Sequence, residues 1–186
     1  MRTHRRVPRA RTVVCAGEVT LIWAWGAECG TLGGMRIVVC VKHVPDMQSE
    51  RRFEGGRLVR GEDDVLNELD ENAIEAAVQL KESEEAAGRE AEVVALTMGP
   101  EDAEDSLMRA LQMGADRAYI VSDEFLEGSD VITTASVLSV AIAKIAQECG
   151  PVDLVITGMA SLDAMTSMLP AALAAKAHMP LLGLAR

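Results

Sequence analysis

Asp153-Leu154-Val155-Ile156-Thr157-Gly158-Met159-Ala160-Ser161-Leu162-Asp163-Ala164-Met165-Thr166 decides how this chain folds. A short, wholly apolar run stops at a glycine. A loop of small residues follows, with a serine, an aspartate and a threonine, and then a helical pattern begins. An apolar run without polar alternation reads as a strand covered on both faces, as in a parallel sheet. In open α/β sheets, ligands bind beyond the carboxyl ends of such strands, where loop amides and a helix N-terminus can meet phosphate. The stretch from Gly158 to Thr166 is therefore a candidate nucleotide site, although strand–glycine–loop–helix joins also serve as plain connections.

Working outward, the same alternation recurs from Met35 onward. Arg36 to Val41 is an apolar strand. Lys42 to Leu66 is a long polar stretch with Pro45, Gly55, Gly56 and Gly61; loops of this length are functional or partly folded as a hairpin. Asp70 to Ala87 sets Ile74, Ala77, Val78 and Leu80 on one face of a helix that Gly88 ends. Val93 to Thr97 is a second strand, closed by Gly99-Pro100. Glu101, Asp102, Glu104 and Asp105 open the next helix, where negative charge suits the dipole. Its stripe is Ala103, Leu107, Ala110 and Leu111, and Gly114 stops it. Ala118 to Val121 is a third strand. Ser129 or Asp130 caps a longer helix bearing Val131, Ala135, Leu138, Ile142, Ile145 and Cys149, ended by Gly150-Pro151. Strand four is Leu154 to Thr157, a final helix runs from about Asp163 to Ala177, and Leu181 to Ala185 can begin a fifth strand. Strand alternating with helix four times means parallel βαβ units with right-handed crossovers. The expected fold is α/β: a single open, mainly parallel sheet with helices on both faces, a Rossmann-like three-layer domain of the adenine-nucleotide-binding kind.

Bulk properties narrow the function. The net charge of −11 argues against a nucleic-acid surface, which needs a basic stripe. Only Trp23, Trp25, Phe53, Tyr119 and Phe125 are aromatic, which argues against stacking of bases on an aromatic platform too. No apolar run approaches the roughly 20 residues of a membrane span. Cys15, Cys29, Cys40 and Cys149 form no CxxC and sit in unlike settings, which favours reduced cysteines in a cytoplasmic protein over zinc or a disulfide framework. His4, His43 and His178 show no metal spacing.

Residues 1–34 differ from everything after them. They hold five arginines and two acids, a net of +3, against −14 for the remainder. Glu18 interrupts the apolar region that a signal peptide would need. The simpler reading is a leader translated upstream of a natural start at Met35, disordered or poorly packed. Residues 35–186 then form the nucleotide-binding domain.

Four strand ends offer chemistry. Lys42 with His43 is either a phosphate-seeking cation beside an acid–base group or a solvated pair. Asn67 either bonds a base or ribose or serves as a turn or cap residue. Asp163 either takes a ribose hydroxyl or caps the last helix. Gly99-Pro100 reads as a turn, and the methionines as core filler. GxGxxG and GxxxxGK[ST] are absent, and no Ser–His–Asp set, paired carboxylates or nucleophilic cysteine emerges. The residues alone describe an acidic α/β domain that binds an adenine-type nucleotide without catalytic groups.

From Met35 onward the chain also resembles the β subunit of electron transfer flavoprotein. The matching stretches are Ile37-Val38-Val39-Cys40-Val41-Lys42-His43-Val44-Pro45-Asp46, Leu66-Asn67-Glu68-Leu69-Asp70-Glu71-Asn72-Ala73-Ile74-Glu75-Ala76-Ala77, Leu111-Gln112-Met113-Gly114-Ala115-Asp116-Arg117-Ala118 and Asp153-Leu154-Val155-Ile156-Thr157-Gly158. The resemblance implies a heterodimer with an α subunit that holds most FAD contacts, while the β subunit buries a structural AMP. Electrons from acyl-CoA and related dehydrogenases of fatty acid oxidation reach the FAD and leave toward the respiratory chain. Carried over residue by residue, the AMP pocket comprises Cys40, Asn67, Glu68, Leu69, Asp70 and Met98, together with Gly158, Met159, Ala160, Ser161, Leu162, Asp163, Ala164, Met165 and Thr166. The phosphate would sit against backbone amides and the hydroxyls of Ser161 and Thr166.

Two departures stand out. Thr166-Ser167 replaces a Thr-Gly pair common in the family. The chain also stops at Arg186, where family members continue into an arm that embraces the α subunit and a loop that docks dehydrogenases. The alternatives are a universal-stress-type ATP- or AMP-binding module without a redox role, and a non-functional fragment.

Overall fold

The computed structural model describes residues 33–61 and 63–183, and the backbone of residues 11–14 and 21–26. In chain order the elements are β1 (Arg11–Val14), β2 (Leu21–Gly26), β3 (Met35–Cys40), β4 (His43–Pro45), β5 (Phe53–Glu54), β6 (Arg57–Leu58), β7 (Asp64–Leu66), α1 (Glu68–Ala86), β8 (Ala91–Met98), α2 (Glu104–Met113), β9 (Arg117–Ser122), α3 (Val131–Cys149), β10 (Leu154–Thr157) and α4 (Leu169–Ala177). The main sheet runs β1-β2-β9-β8-β3-β10. Its four strands β9, β8, β3 and β10 are parallel. The β1–β2 hairpin adds antiparallel to β9. The expectation of a poorly packed leader falls on residues 1–34, of which 1–10, 15–20 and 27–32 lie outside the described residues.

The central strands are apolar throughout because both faces are covered. On one face, α1 and α2 bring Ile74, Ala77, Leu107 and Ala110 against Ile37, Val39, Val93 and Ala95. On the other, α3 brings Ala135, Leu138, Ile142 and Ile145 against Val38, Val94 and Leu96, with Leu173 of α4 joining them. This is the expected three-layer α/β arrangement. By length and composition α3 would suit a membrane span, yet here its apolar stripe lies on the sheet.

Three expectations are corrected. The last helix starts at Leu169, because Met165 (φ 51°) and Ser167 (φ 50°) adopt the left-handed conformation and Pro170 fits the first helical turn. Residues 181–183 are unpaired where a fifth strand was expected, and residues 184–186 lie outside the described set. Cys149 is disulfide-bonded, while Cys40 is a buried free thiol. Cysteine spacing along the chain says nothing of which ones the fold brings together.

The polar stretch 43–66 folds back on itself as a hairpin in two tiers. His43–Pro45 pairs with Asp64–Leu66, and Phe53–Glu54 with Arg57–Leu58. The tight turn between β5 and β6 needs two consecutive residues at positive φ, which Gly55 (57°) and Gly56 (80°) supply without a Cβ clash.

At the opposite, amino end of the sheet, Arg36, Glu92 and Arg117 form a buried ionic row across β3, β8 and β9. Arg36 Nε meets Glu92 at 2.9 Å, and Arg117 Nε bonds the other carboxylate oxygen. Removing one member of such a row strands the others without compensation. Glu92→Gln is expected to lower unfolding free energy by about 3–5 kcal/mol in urea titrations, with an unchanged denaturant slope.

Candidate functional site

The order of the parallel strands creates one place where neighbouring crossovers leave in opposite directions. From β3 the chain passes through α1 on one face to reach β8; it arrives at β10 through α3 on the other face. Between these two crossovers lie β3 and β10, which pair from Leu154↔Ile37 to Thr157↔Cys40 at their carboxyl rim. Such a switch point is where open α/β sheets bind ligands.

Asn67 closes the back of this rim. It sits at the N-cap of α1, a position where its side chain would normally accept a helix amide, but it makes no such bond. Instead Nδ2 donates to the Ala160 carbonyl at 3.0 Å, and Oδ1 accepts the Leu162 amide at 3.1 Å. Its own amide donates to the Lys42 carbonyl at 2.9 Å. A fully buried asparagine thus ties the end of β3, the start of α1 and the loop after β10.

Asp70 lies one helical turn on, buried, and accepts the Lys42 amide at 2.8 Å. Burial pushes its carboxyl up to about 6, against the opposing hydrogen bonds from Asn67, Lys42 and Gly158. A Cβ on Gly158 would stand 2.1 Å from Asp70 Oδ1 and 3.1 Å from the Leu69 carbonyl, so only glycine lets the strand end approach the helix here. Cys40 is pushed up to about 12 by burial and by the nearby Asp70 charge, so its thiol stays protonated and forms wall rather than nucleophile.

Asp163 is the counterpart of Asp70 with the opposite environment. Lys42 Nζ reaches its two carboxylate oxygens at 3.0 and 2.9 Å and the Ser161 hydroxyl at 3.4 Å. Arg60, from the far arm of the hairpin, bonds the same carboxylate. Burial alone would raise this group; the hydrogen bonds from Lys42, Arg60 and Ser161 outweigh it and hold Asp163 well below the usual carboxylate range. Arg51 adds a bond from Nη2 to the Leu162 carbonyl at 3.2 Å.

The structure brings Cys40, Asn67, Leu69, Asp70 and the Gly158–Asp163 segment together at this rim. Met98 ends β8 on the same rim and packs with Cys40 on the α3 face. Glu68 is exposed on the first turn of α1, and Ala164, Met165 and Thr166 form the exposed outer part of the loop. Asp163 caps no helix: α4 begins at Leu169 with Met168 before it and no side-chain cap. His43 leaves the site altogether. Its ring is buried against α2, with Nδ1 2.7 Å from Ser106 Oγ, because it falls on the inward face of β4. Lys42 is the member of that pair that meets the loop. Arg60 and Arg51 were not found from the sequence; the available signal was a run of arginines in an otherwise acidic chain.

These features define a class: a three-layer α/β domain whose switch-point rim is built from a buried asparagine, paired carboxylates of opposite environment and a small-residue loop. Comparison with known proteins narrows it. The family model described as the electron transfer flavoprotein domain matches residues 56–185. The chain belongs to the electron transfer flavoprotein family. It is 40 % identical to the electron transfer flavoprotein subunit beta of Mycobacterium tuberculosis over 147 residues, 77 % of this chain and 54 % of that protein. It is 40 % identical to protein FixA of Azorhizobium caulinodans over 135 residues, 72 % of this chain and 46 % of that one. The subunit beta of Megasphaera elsdenii is 36 % identical over 157 residues, with 82 % and 56 % covered. The chain spans about half the length of these relatives.

Asp70 gives the rim a pH signature. Its folded carboxyl, near 6, lies above the ordinary value of 3.8, so protonation favours the folded state. Its contribution is fully present below about 4 and is lost as pH rises through about 6. A shift of this size corresponds to about 2–3 kcal/mol. Urea titrations of wild type and Asp70→Asn at pH 4 and pH 7 are expected to show wild type losing stability relative to the variant across that interval.

Proposed function

We propose that the chain is the nucleotide-binding part of an electron transfer flavoprotein β subunit. In this reading it holds AMP structurally at the carboxyl rim between β3 and β10. It stands beside an α subunit that carries most FAD contacts. The pair passes electrons from acyl-CoA and related dehydrogenases toward the respiratory chain. The observation that carries the reading is the brace made by buried Asn67, which fixes the Gly158–Asp163 segment at the switch point.

The residues present fit an adenylate. Lys42, Arg60 and Arg51 gather three cations around the Asp163 and Asp70 carboxylates, leaving positive charge for a phosphate in an acidic chain. The helix α4 starts without a side-chain cap, but Pro170 carries no amide and Ala172 N already donates to the Met168 carbonyl, so the cations rather than this helix end supply the charge. Bound FAD would supply one-electron chemistry, and the fold described here would bind and orient rather than react. Cys40 stays a protonated thiol, Asp70 keeps the Lys42 amide in place, and Asn67 holds the loop shut against the helix. AMP itself carries no redox chemistry, so its role is to link the strand-end loops. Ser167 at φ 50° stands where the family commonly has glycine, and it makes the outer loop strained by roughly 1 kcal/mol.

A ligand that binds only the folded state must raise its stability, by about 2.7 kcal/mol at a concentration one hundred times its Kd. Thermal melting with AMP is expected to show that rise. Co-expression with a cognate α subunit is expected to yield a flavin-coloured heterodimer. Melting indifferent to millimolar AMP, together with a colourless product, would sink the reading.

A further inference from the structure

The hairpin between β3 and α1 reaches the rim through Arg51 and Arg60. Arg60 bonds Asp163 and, through Nη1, the His43 carbonyl at 3.4 Å. The Asp163 side chain is 2 % exposed, whereas Lys42 and Arg60 remain 41 % and 38 % exposed. The carboxylate is therefore covered while both cations still face the mouth of the site. Lys42, Arg60 and Arg51 set three cations against the Asp163 and Asp70 carboxylates, leaving one positive charge in excess beside the Ser161 hydroxyl. Arg60 Nη1 and Nη2 are engaged with the His43 carbonyl and Asp163, and each keeps a second N–H that a phosphate monoester can accept.

The same hairpin touches the rim at its other end. Arg57 pairs with Glu127 at 3.2 Å, and a Cβ on Gly128 would lie 2.8 Å from Arg57 Nη2. A Cβ on Gly61 would lie 3.7 Å from Asp102 in the loop after β8. Residues 46–61 thus arch across the carboxyl edge from the loop after β10 to the loop after β9. Residues 51–57 are nonetheless exposed, so the arch rests on polar side-chain contacts rather than buried apolar surface. A segment held this way opens locally at low cost.

We propose that Arg60 is a phosphate ligand of the rim site and that a bound phosphate monoester fastens the 46–61 hairpin over the nucleotide. The proposal rests on the adenylate reading above and adds a residue and a closing element to it.

The test is limited trypsin digestion of the full chain, following cleavage after Arg51, Arg52 and Arg57, with AMP, adenosine or inorganic phosphate, alongside calorimetry. AMP is expected to slow hairpin cleavage by about tenfold, inorganic phosphate to do so at higher concentration, and adenosine to have no effect. Arg60→Gln is expected to weaken AMP binding by about tenfold, leave adenosine unchanged and abolish the protection, and Arg60→Lys to recover part of the affinity. AMP binding with unchanged cleavage, or an Arg60→Gln variant that weakens AMP and adenosine alike, overturns the proposal and leaves the adenylate reading standing. No binding and no protection with AMP or phosphate overturns both. If Arg60→Gln does not fold, the wild-type contrast between AMP and adenosine decides.

Discussion

The rim depends on one buried amide. Asn67 spends its cap position on the loop after β10, and its two side-chain bonds reach residues more than 90 positions away. A buried polar group unsatisfied on either side would cost about 1–3 kcal/mol, so the site is stable only when β3, α1 and the β10 loop are assembled together. Local capping is given up for long-range assembly. That choice makes a loop of small residues a defined wall rather than a mobile connection.

Around this brace the two carboxylates divide the work. Asp70 is covered by helix and strand, which shifts it upward, and it accepts the Lys42 and Gly158 amides, which oppose that shift. Asp163 is covered by cations and shifts downward. The first organises backbone; the second gathers charge. The chain is acidic overall, yet Lys42 and Arg60 converge on the rim, both on the Asp163 carboxylate.

Much of this was legible in the sequence, and the failures have physical causes. The four parallel strands follow from apolar runs without alternation, and the hairpin from a long polar stretch with paired glycines. The strand order cannot be read from composition, yet it is the order that places Cys40 beside Thr157 and so defines the rim. The start of α4 was misread because Ala164 to Met168 have helical propensity; left-handed turns at Met165 and Ser167 override it. His43 and Lys42 are adjacent in sequence but face different ways, since Lys42 lies in the break between β3 and β4 while His43 falls on the inward face of β4. Arg60 was invisible because only the hairpin's fold carries it to a residue 103 positions away.

The most direct test of the brace is amide hydrogen exchange on Asn67→Ala, comparing Leu162 with core amides of β3 and β8. Loss of the Asn67 acceptor is expected to speed exchange at Leu162 and its neighbours by about tenfold or more, while Val38 and Val94 keep their protection relative to global stability. Unchanged exchange at Leu162, or an increase no larger than that of the core strands, would contradict the claim that Asn67 builds the site.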